Sequence, residues 1–475
     1  MQTDVFDVLI EPSEPEGKTQ MEWDQLLKLE RLNDLNYVQR PYRPAYRQDI
    51  DRILFSQPFR RLANKTQVHP LYDNDHIHHR LIHSLEVATV GHDLGVAVGS
   101  WLADEERVKP SDVEIIAGLV QAACMAHDIG NPPFGHSGET AIGSWFADRF
   151  SQADGVLAEI DGQHRDEFMA FEGNAQGFRI LTRTEMYKNQ GGLRLAFGSL
   201  GAFTKYPVAA SVRQQVGTEG TIKGNRYIGL KKFGFFENDI GTFAAVAEEL
   251  GLPKTDVVSD RGTTVGSWWR RHPLAFLMEA ADDICYNVMD LEDAYLAGKV
   301  SFDQVCALLK PVMAKTNRIY TDDEEADVIS RYRALAIKGA IDACADAFKD
   351  NYDAIMSGAF AVSLVEASRV ASEFGAIKKV AKQRIFSAPR KTELEVLGRN
   401  VICRVLDGIV PLLDDLHRHG WDKDKLSSYH TQLVRALNFP ITTATNVYDA
   451  VHAMTDFVSG MTDRYAVKVA EMVGR

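Results

Sequence analysis

The sequence has little cysteine. Five occur in 475 residues, at Cys124, Cys285, Cys306, Cys344 and Cys403, and none forms a Cys-x-x-Cys pair. That excludes a disulfide-stapled scaffold and a thiolate zinc cluster, and it fits a reducing, cytoplasmic compartment. No long apolar run is present. The longest, around Ile115–Ala126, is interrupted by Gln121 and ends in His127-Asp128, too short and too polar to cross a bilayer. The first residues, MQTDVFDVLIEPSEPEGK, carry acids where a secretory leader carries bases. A basic excess is also missing. The net charge of −13 argues against bulk nucleic-acid binding, so an anionic ligand would need local cations or a metal. Glycine (35) and proline (16) are at ordinary levels, which excludes collagen-like and linker-like chains. There is no internal repeat and no low-complexity tract.

What is present is helical patterning. Residues 1 to about 20 read as a loose acidic arm. Trp23–Ala63 reads as a polar helical stretch rich in Arg and Lys, either a solvated face or an interface or anion site. Helices are predicted over 80–103 and 111–128, with Ser111 or Asp112 as N-cap. The run Gly130-Asn131-Pro132-Pro133-Phe134-Gly135 breaks the pattern, because paired prolines end a helix. A new helix is predicted near Ser137–Glu139, and another over 272–297. Residues 205–236 read as irregular or a short hairpin. Helical spacing fills the rest. The fold class is all-α, mainly helical, with a small irregular or β-hairpin segment. No composition shift marks a firm domain boundary; the working division is 1–62, an amino-terminal arm and basic helical region; 63–297, the core; and 298–475, a carboxy-terminal helical region.

Chemistry-bearing residues sit in three segments: His83 in HHRLIHSLEV, His127-Asp128 in MAHDIGNPPFGHSGE, and Asp282 in MEAADDICYNVMD. Neutral imidazole and carboxylate together suit Mn²⁺, Mg²⁺, Fe²⁺, Co²⁺ or Zn²⁺. Adjacent His and Asp point about 100° apart on an ideal helix, so one ion could be shared only among several helices. Asp282, Tyr286 and Asp290 fall at i, i+4 and i+8, on one helix side. His136 and Glu139 lie three apart near a helix start, where the carboxylate can orient the imidazole for acid–base chemistry. Singly, each of these has an ordinary structural reading as a core histidine, a cap or an ion pair. Together, and in this order, they describe a site.

The segments PFRRLANKTQVHPL, RLIHSLEVA, AHDIGNPPFGHSGE, FEGNAQGFRIL, FTKYP, KFGFFE and LMEAADDICYNVMDLEDA span about residues 40–297. In them the sequence resembles the HD-domain deoxynucleoside triphosphate triphosphohydrolases, the deoxyguanosinetriphosphate triphosphohydrolase branch. The resemblance implies an HD-domain metal phosphohydrolase fold, with 63–297 as its catalytic core and 298–475 in assembly or regulation. It implies divalent-metal ligands at His83, His127, Asp128 and Asp282, with Mn²⁺ or Mg²⁺ favoured. His136 and Glu139 match a catalytic pair beside the metal. Arg80, Lys205 and Tyr206 match triphosphate contacts. Gln67, Tyr286 and Asp290 match residues around the sugar, which reject a 2′-hydroxyl. Asn174 is a further nucleotide-facing candidate.

One position departs from the family pattern: His78 stands where Arg is frequent, within a run of His76, His78, His79 and His83. Either a polar helix start or a second metal accounts for that run. The implied reaction cleaves a deoxynucleoside triphosphate to deoxynucleoside and inorganic triphosphate. The implied partners are the dNTP substrate, other copies of the chain (a hexamer favoured), a nucleotide or single-stranded DNA effector, and no membrane. A second basic group, Lys378, Lys379, Lys382, Arg384, Arg390, Lys391 and Arg399, reads as an interface, an allosteric anion site or a solvated face. Two competing readings stand beside this one. One is another HD phosphohydrolase acting on an alarmone, a cyclic dinucleotide or a nucleoside monophosphate. The other is a non-catalytic nucleotide or DNA sensor.

Overall fold

The structure, a computed structural model, describes residues 20–34, 36–66, 79–152, 155–186, 192–216, 221–222, 225–259, 262–316, 324–384 and 389–473. Gln67, His76, His78 and most of the amino-terminal arm lie outside the described residues. The architecture is all-α. The principal elements in chain order are α1 (Arg80–Asp104), α2 (Val113–Ala126), α3 (His136–Gln152), α4 (Gly173–Arg179), the strands β1 (Lys254–Val258) and β2 (Thr264–Trp269), α5 (Pro273–Leu296), α6 (Glu325–Asp350), α7 (Pro389–Arg418), α8 (Val447–Ser459) and α9 (Asp463–Val473). No helix among the described residues is long and apolar enough to cross a membrane.

Two units make up the chain, and each is assembled from separated segments. The first contains residues 1–51, 86–125 and 194–381. Here α1 and α2 run antiparallel in close contact. Gly91, Gly95 and Gly99, at i, i+4 and i+8, face Cys124, Ala117 and Val113. A Cβ at Gly95 would sit 2.6 Å from the Ala117 Cα, so only glycine lets the backbones approach this far. Helix α5 packs on α6. It starts at Pro273, where a missing N–H costs nothing, and His272 caps it by accepting the Leu274 N–H at 3.0 Å.

The 205–236 segment holds a short helix, Ala210–Val216, and a two-residue antiparallel pairing of Thr221–Ile222 with Asn225–Arg226. That short pairing fits the expected segment; a longer hairpin, β1–β2, lies downstream and was not expected. Its β-branched and aromatic residues are a strand signal that the helical reading passed over. Trp268 and Trp269 of β2 are buried, and the Trp269 ring meets Phe243 edge-on at 5.3 Å.

The basic stretch 23–63 is not one helix. It contains Trp23–Leu26, Ala45–Phe55 and Gln57–Arg61, broken around Pro41 and Pro44. Nor is it wholly a solvated face. Arg31 is buried against Asp49 at 2.5 Å, and Asp49 also accepts Ser199 Oγ and the Ala196 N–H.

The second unit contains residues 52–85, 126–193 and 382–475. Helix α3 packs on α7, and α7 packs on α8 and α9. Trp145 Nε1 of α3 donates to Asp407 Oδ1 of α7 at 2.8 Å.

Candidate functional site

In the second unit, His83 comes from the first turn of α1. His127 and Asp128 follow the end of α2. The predicted helix over 111–128 stops at Ala126, and the two residues sit in a turn closed by Ile129 N–H to Ala126 O and Asn131 N–H to Asp128 O. The turn replaces the helical 100° separation, so both side chains reach one place. One ligand atom from each of His83, His127 and Asp128 lies within 4.8 Å of the others. The two imidazoles meet edge-on, with ring centroids 5.2 Å apart, and both are buried. Two imidazoles and a carboxylate held this close are a donor set that fits a divalent metal.

The residues around Asp128 orient it. Arg80 Nη1 donates to Asp128 Oδ2 at 2.5 Å, and Asn131 Nδ2 donates to Oδ1. Arg80 fills the space beside Gly135, where a Cβ would lie 2.5 Å from Nη2. Helix α3 opens at His136. Its imidazole is 82% exposed, and its Nδ1 lies 3.0 Å from Glu139 Oε2. The other oxygen of Glu139 accepts the Gly173 N–H at 2.8 Å. A Cβ at Gly173 would strike both Asn131 Oδ1 (2.4 Å) and Glu139 Oε1 (2.7 Å). Asn174 donates its amide to Glu172 Oε1 at 2.7 Å.

Asp282 is not part of the three-residue group. It lies on α5 in the first unit, with Tyr286 and Asp290 following it along the same helix. Asp282 Oδ2 accepts from Lys205 Nζ at 2.8 Å. Burial opposes the Lys205 charge, but the Asp282 carboxylate outweighs it and holds the ammonium pKa above its ordinary value. The backbone around Lys205 is fixed from three sides. Arg271 Nε donates to Lys205 O at 2.6 Å, the Trp269 N–H to Pro207 O at 2.9 Å, and the Gly234 N–H to Val208 O at 3.0 Å. Arg271 is itself buried and paired with Glu279 at 2.6 Å. Burial raises the Tyr206 phenol pKa.

Residues 80–171 match the HD domain. A "Deoxyguanosinetriphosphate triphosphohydrolase-like protein" from Pseudomonas aeruginosa is 37% identical over 96% of this chain and 99% of its own length. One of the same description from Synechocystis is 36% identical, over 94% and 97%. A "Deoxyguanosinetriphosphate triphosphohydrolase" from Klebsiella pneumoniae is 30% identical, over 89% and 92%. The chain belongs to the HD-domain deoxyguanosinetriphosphate triphosphohydrolase-like family.

Within this family frame, the structure adds residues that sequence reasoning did not single out. Lys65 is fully buried and donates to Asn131 O and Ser459 O, both at 2.7 Å. Burial pushes its ammonium down to about 7, with Arg61 acting in the same direction. Asn131, Gly173, Arg271 and Glu279 were likewise passed over. The sequence signal for Asn131 was its place in the Gly-Asn-Pro-Pro break. For Lys65 no spacing marks it, because its partners lie 66 and 394 residues away; Arg271 has Glu279 eight residues on, but its bond to Lys205 O crosses 66 residues.

Proposed function

We propose that the chain hydrolyses deoxynucleoside triphosphates, dGTP among them, to deoxynucleoside and inorganic triphosphate. The observation that carries this is the convergence of His83, His127 and Asp128 beside the His136–Glu139 pair, in a chain of this family. We take Asp282 as the fourth ligand and Mn²⁺ or Mg²⁺ as the metal. A divalent ion held by these residues supplies Lewis acidity at the α-phosphate. Arg80 and Lys205 carry the charge that grips the triphosphate, and Arg suits a bidentate contact. Tyr206 and Asn174 add polar contacts to the nucleotide. Tyr286, Asp290 and Gln67 hold the sugar. Water forms the new O–P bond, the bond from phosphorus to the 5′-oxygen breaks, and the departing alkoxide takes a proton. His136, oriented by Glu139, holds or relays that proton at its exposed imidazole. Residues 63–297 carry the catalytic groups, and 298–475 serve assembly, as a hexamer, or regulation by a nucleotide or single-stranded DNA. The compartment is the cytoplasm, consistent with five free cysteines.

The test is a panel of dNTPs and NTPs with Mn²⁺ or Mg²⁺, alone and as nucleotide mixtures with single-stranded DNA, products being resolved by ion exchange. Deoxynucleoside plus intact triphosphate, with NTPs spared, supports the reading. Release of pyrophosphate or orthophosphate instead, or no turnover under any combination, rejects it.

A further inference from the structure

The polar anchors of the carboxy-terminal helices converge on the loop that carries the candidate ligands. Asp463, the first residue of α9, is 2% exposed. Its Oδ2 accepts the Thr66 N–H (3.1 Å) and Thr66 Oγ1 (2.7 Å), and its Oδ1 accepts the Phe134 N–H (3.0 Å). Phe134 needs that anchor. Its φ of 64° is the left-handed region that a side chain disfavours. Its ring is also packed tightly at Gly398 of α7, where a Cβ would lie 2.7 Å away. Four residues before Asp463, Ser459 O accepts from Lys65, whose other bond goes to Asn131 O. Asn131 in turn donates to Asp128.

A parallel chain of contacts starts at Asp456 of α8. It accepts Gln176 Nε2 (2.7 Å) and Arg179 Nε and Nη2 (2.8 and 3.0 Å) on α4. The first residue of α4, Gly173, donates to Glu139. So Ser459, at the end of α8, reaches Asp128 through Lys65 and Asn131; Asp456 reaches Glu139 through α4; and Asp463, opening α9, holds Phe134 in the loop between Asp128 and His136. Buried carboxylates and ammonium groups carry a desolvation cost that an apolar contact avoids. What they offer in return is fixed direction.

We propose that the α8–α9 junction is a clasp that sets the geometry of the metal-binding loop, with Asp463 as its main positioning residue. The inference rests on His83, His127 and Asp128 binding a metal. It gives residues beyond 298 a role in the site itself.

The experiment compares the wild-type full chain with Asp463→Asn, Asp456→Asn and the isosteric Thr66→Val. Asp415→Asn serves as a control, because Asp415 is buried against His430 and the Ser427 N–H instead. Four quantities are read: Mn²⁺ affinity by electron paramagnetic resonance, amide exchange at Phe134, thermal midpoint, and kcat and KM on the preferred dNTP. Loss of an outer-shell partner typically costs 10–100-fold in metal affinity or activity. Asp463→Asn is expected to weaken Mn²⁺ about 10-fold or more, speed exchange at Phe134, and lower kcat more than it changes KM. Asp415→Asn should lower the midpoint while leaving Mn²⁺ affinity alone. If Asp463→Asn lowers only the midpoint and keeps wild-type Mn²⁺ affinity and kcat, the clasp is merely structural and the proposal falls. Should Asp463→Asn fail to fold, Thr66→Val and Asp456→Asn decide: wild-type Mn²⁺ affinity in both overturns it. If the wild type cleaves no dNTP, the proposed reaction fails, while Mn²⁺ affinity and exchange still judge the clasp.

Discussion

His272 shows how one side chain's charge state is dictated by its partners. Its Nδ1 accepts the Leu274 N–H, so Nε2 carries the proton and donates to Leu26 O at 3.0 Å. A cationic ring could not accept that N–H. Burial pushes the pKa from 6.5 down to about 4. Between those values the unfolded chain binds a proton that the folded chain refuses. Stability is therefore complete above pH 6.5 and falls as pH drops toward 4, by ~3 kcal/mol in all. His272→Asn keeps a good N-cap but does not titrate. Its thermal midpoint should fall less steeply than the wild type's from pH 6.5 to 4, and equal slopes in calorimetry would refute the assignment. At the candidate metal site, the proposed reaction predicts that Asp128→Ala abolishes turnover in a folded protein, as judged by circular dichroism. His136→Ala should cost ~10²–10⁴-fold in rate. Retained activity with metal present would remove either residue from the mechanism. Gly173→Ala should also reduce turnover, because its methyl group would enter the space of Asn131 and Glu139.

Glycines separate by environment at the scale of helices. Ala is favoured over Gly in a helix by ~1 kcal/mol. At Gly375, in the helix Ala371–Arg384, nothing lies within 4 Å of the place an alanine methyl would take, so Gly375→Ala should raise the midpoint. At Gly95 the same change meets the α2 backbone at 2.6 Å, and overpacking costs ~1–3 kcal/mol. The clash outweighs the propensity gain, so Gly95→Ala should lower the midpoint. Opposite signs in one calorimetric series check both. The same close approach of α1 and α2 explains why the two helices could be read from periodicity while their contact could not. Period reports a buried face, not the distance to its neighbour.

For the whole molecule, the net charge of −13 makes cationic patches conspicuous. Lys382 and Arg384 are exposed at the end of the helix Ala371–Arg384. Lys378, nearby, pairs with Asp283 at 3.5 Å, so the group is not uniformly free. Reversing Lys382 and Arg384 to Glu should change the sedimentation mass or the nucleotide response without altering Mn²⁺ affinity. An unchanged mass and response would assign them to a solvated face. Chelation of the wild type should remove activity, and Mn²⁺ should restore it.

The sequence alone determined the all-α class, the helices carrying His83 and Asp282, the break after Asp128, and the His136–Glu139 contact. These are local consequences of periodicity, proline chemistry and i, i+3 spacing. It found the short pairing within 205–236 but passed over the longer hairpin at 254–269, and its readings of the basic stretch as a solvated face, an interface or an anion site did not include Arg31 buried on Asp49. Only the tertiary structure decided that α2 stops one residue before His127, that Lys65 spans two distant carbonyls, and that Asp463 supports Phe134. It also resolved two compact units, each assembled from segments far apart in the chain. The reason is physical. A buried polar group must find partners wherever the chain brings them, and here they lie from 66 to 394 residues away, beyond what any local pattern records.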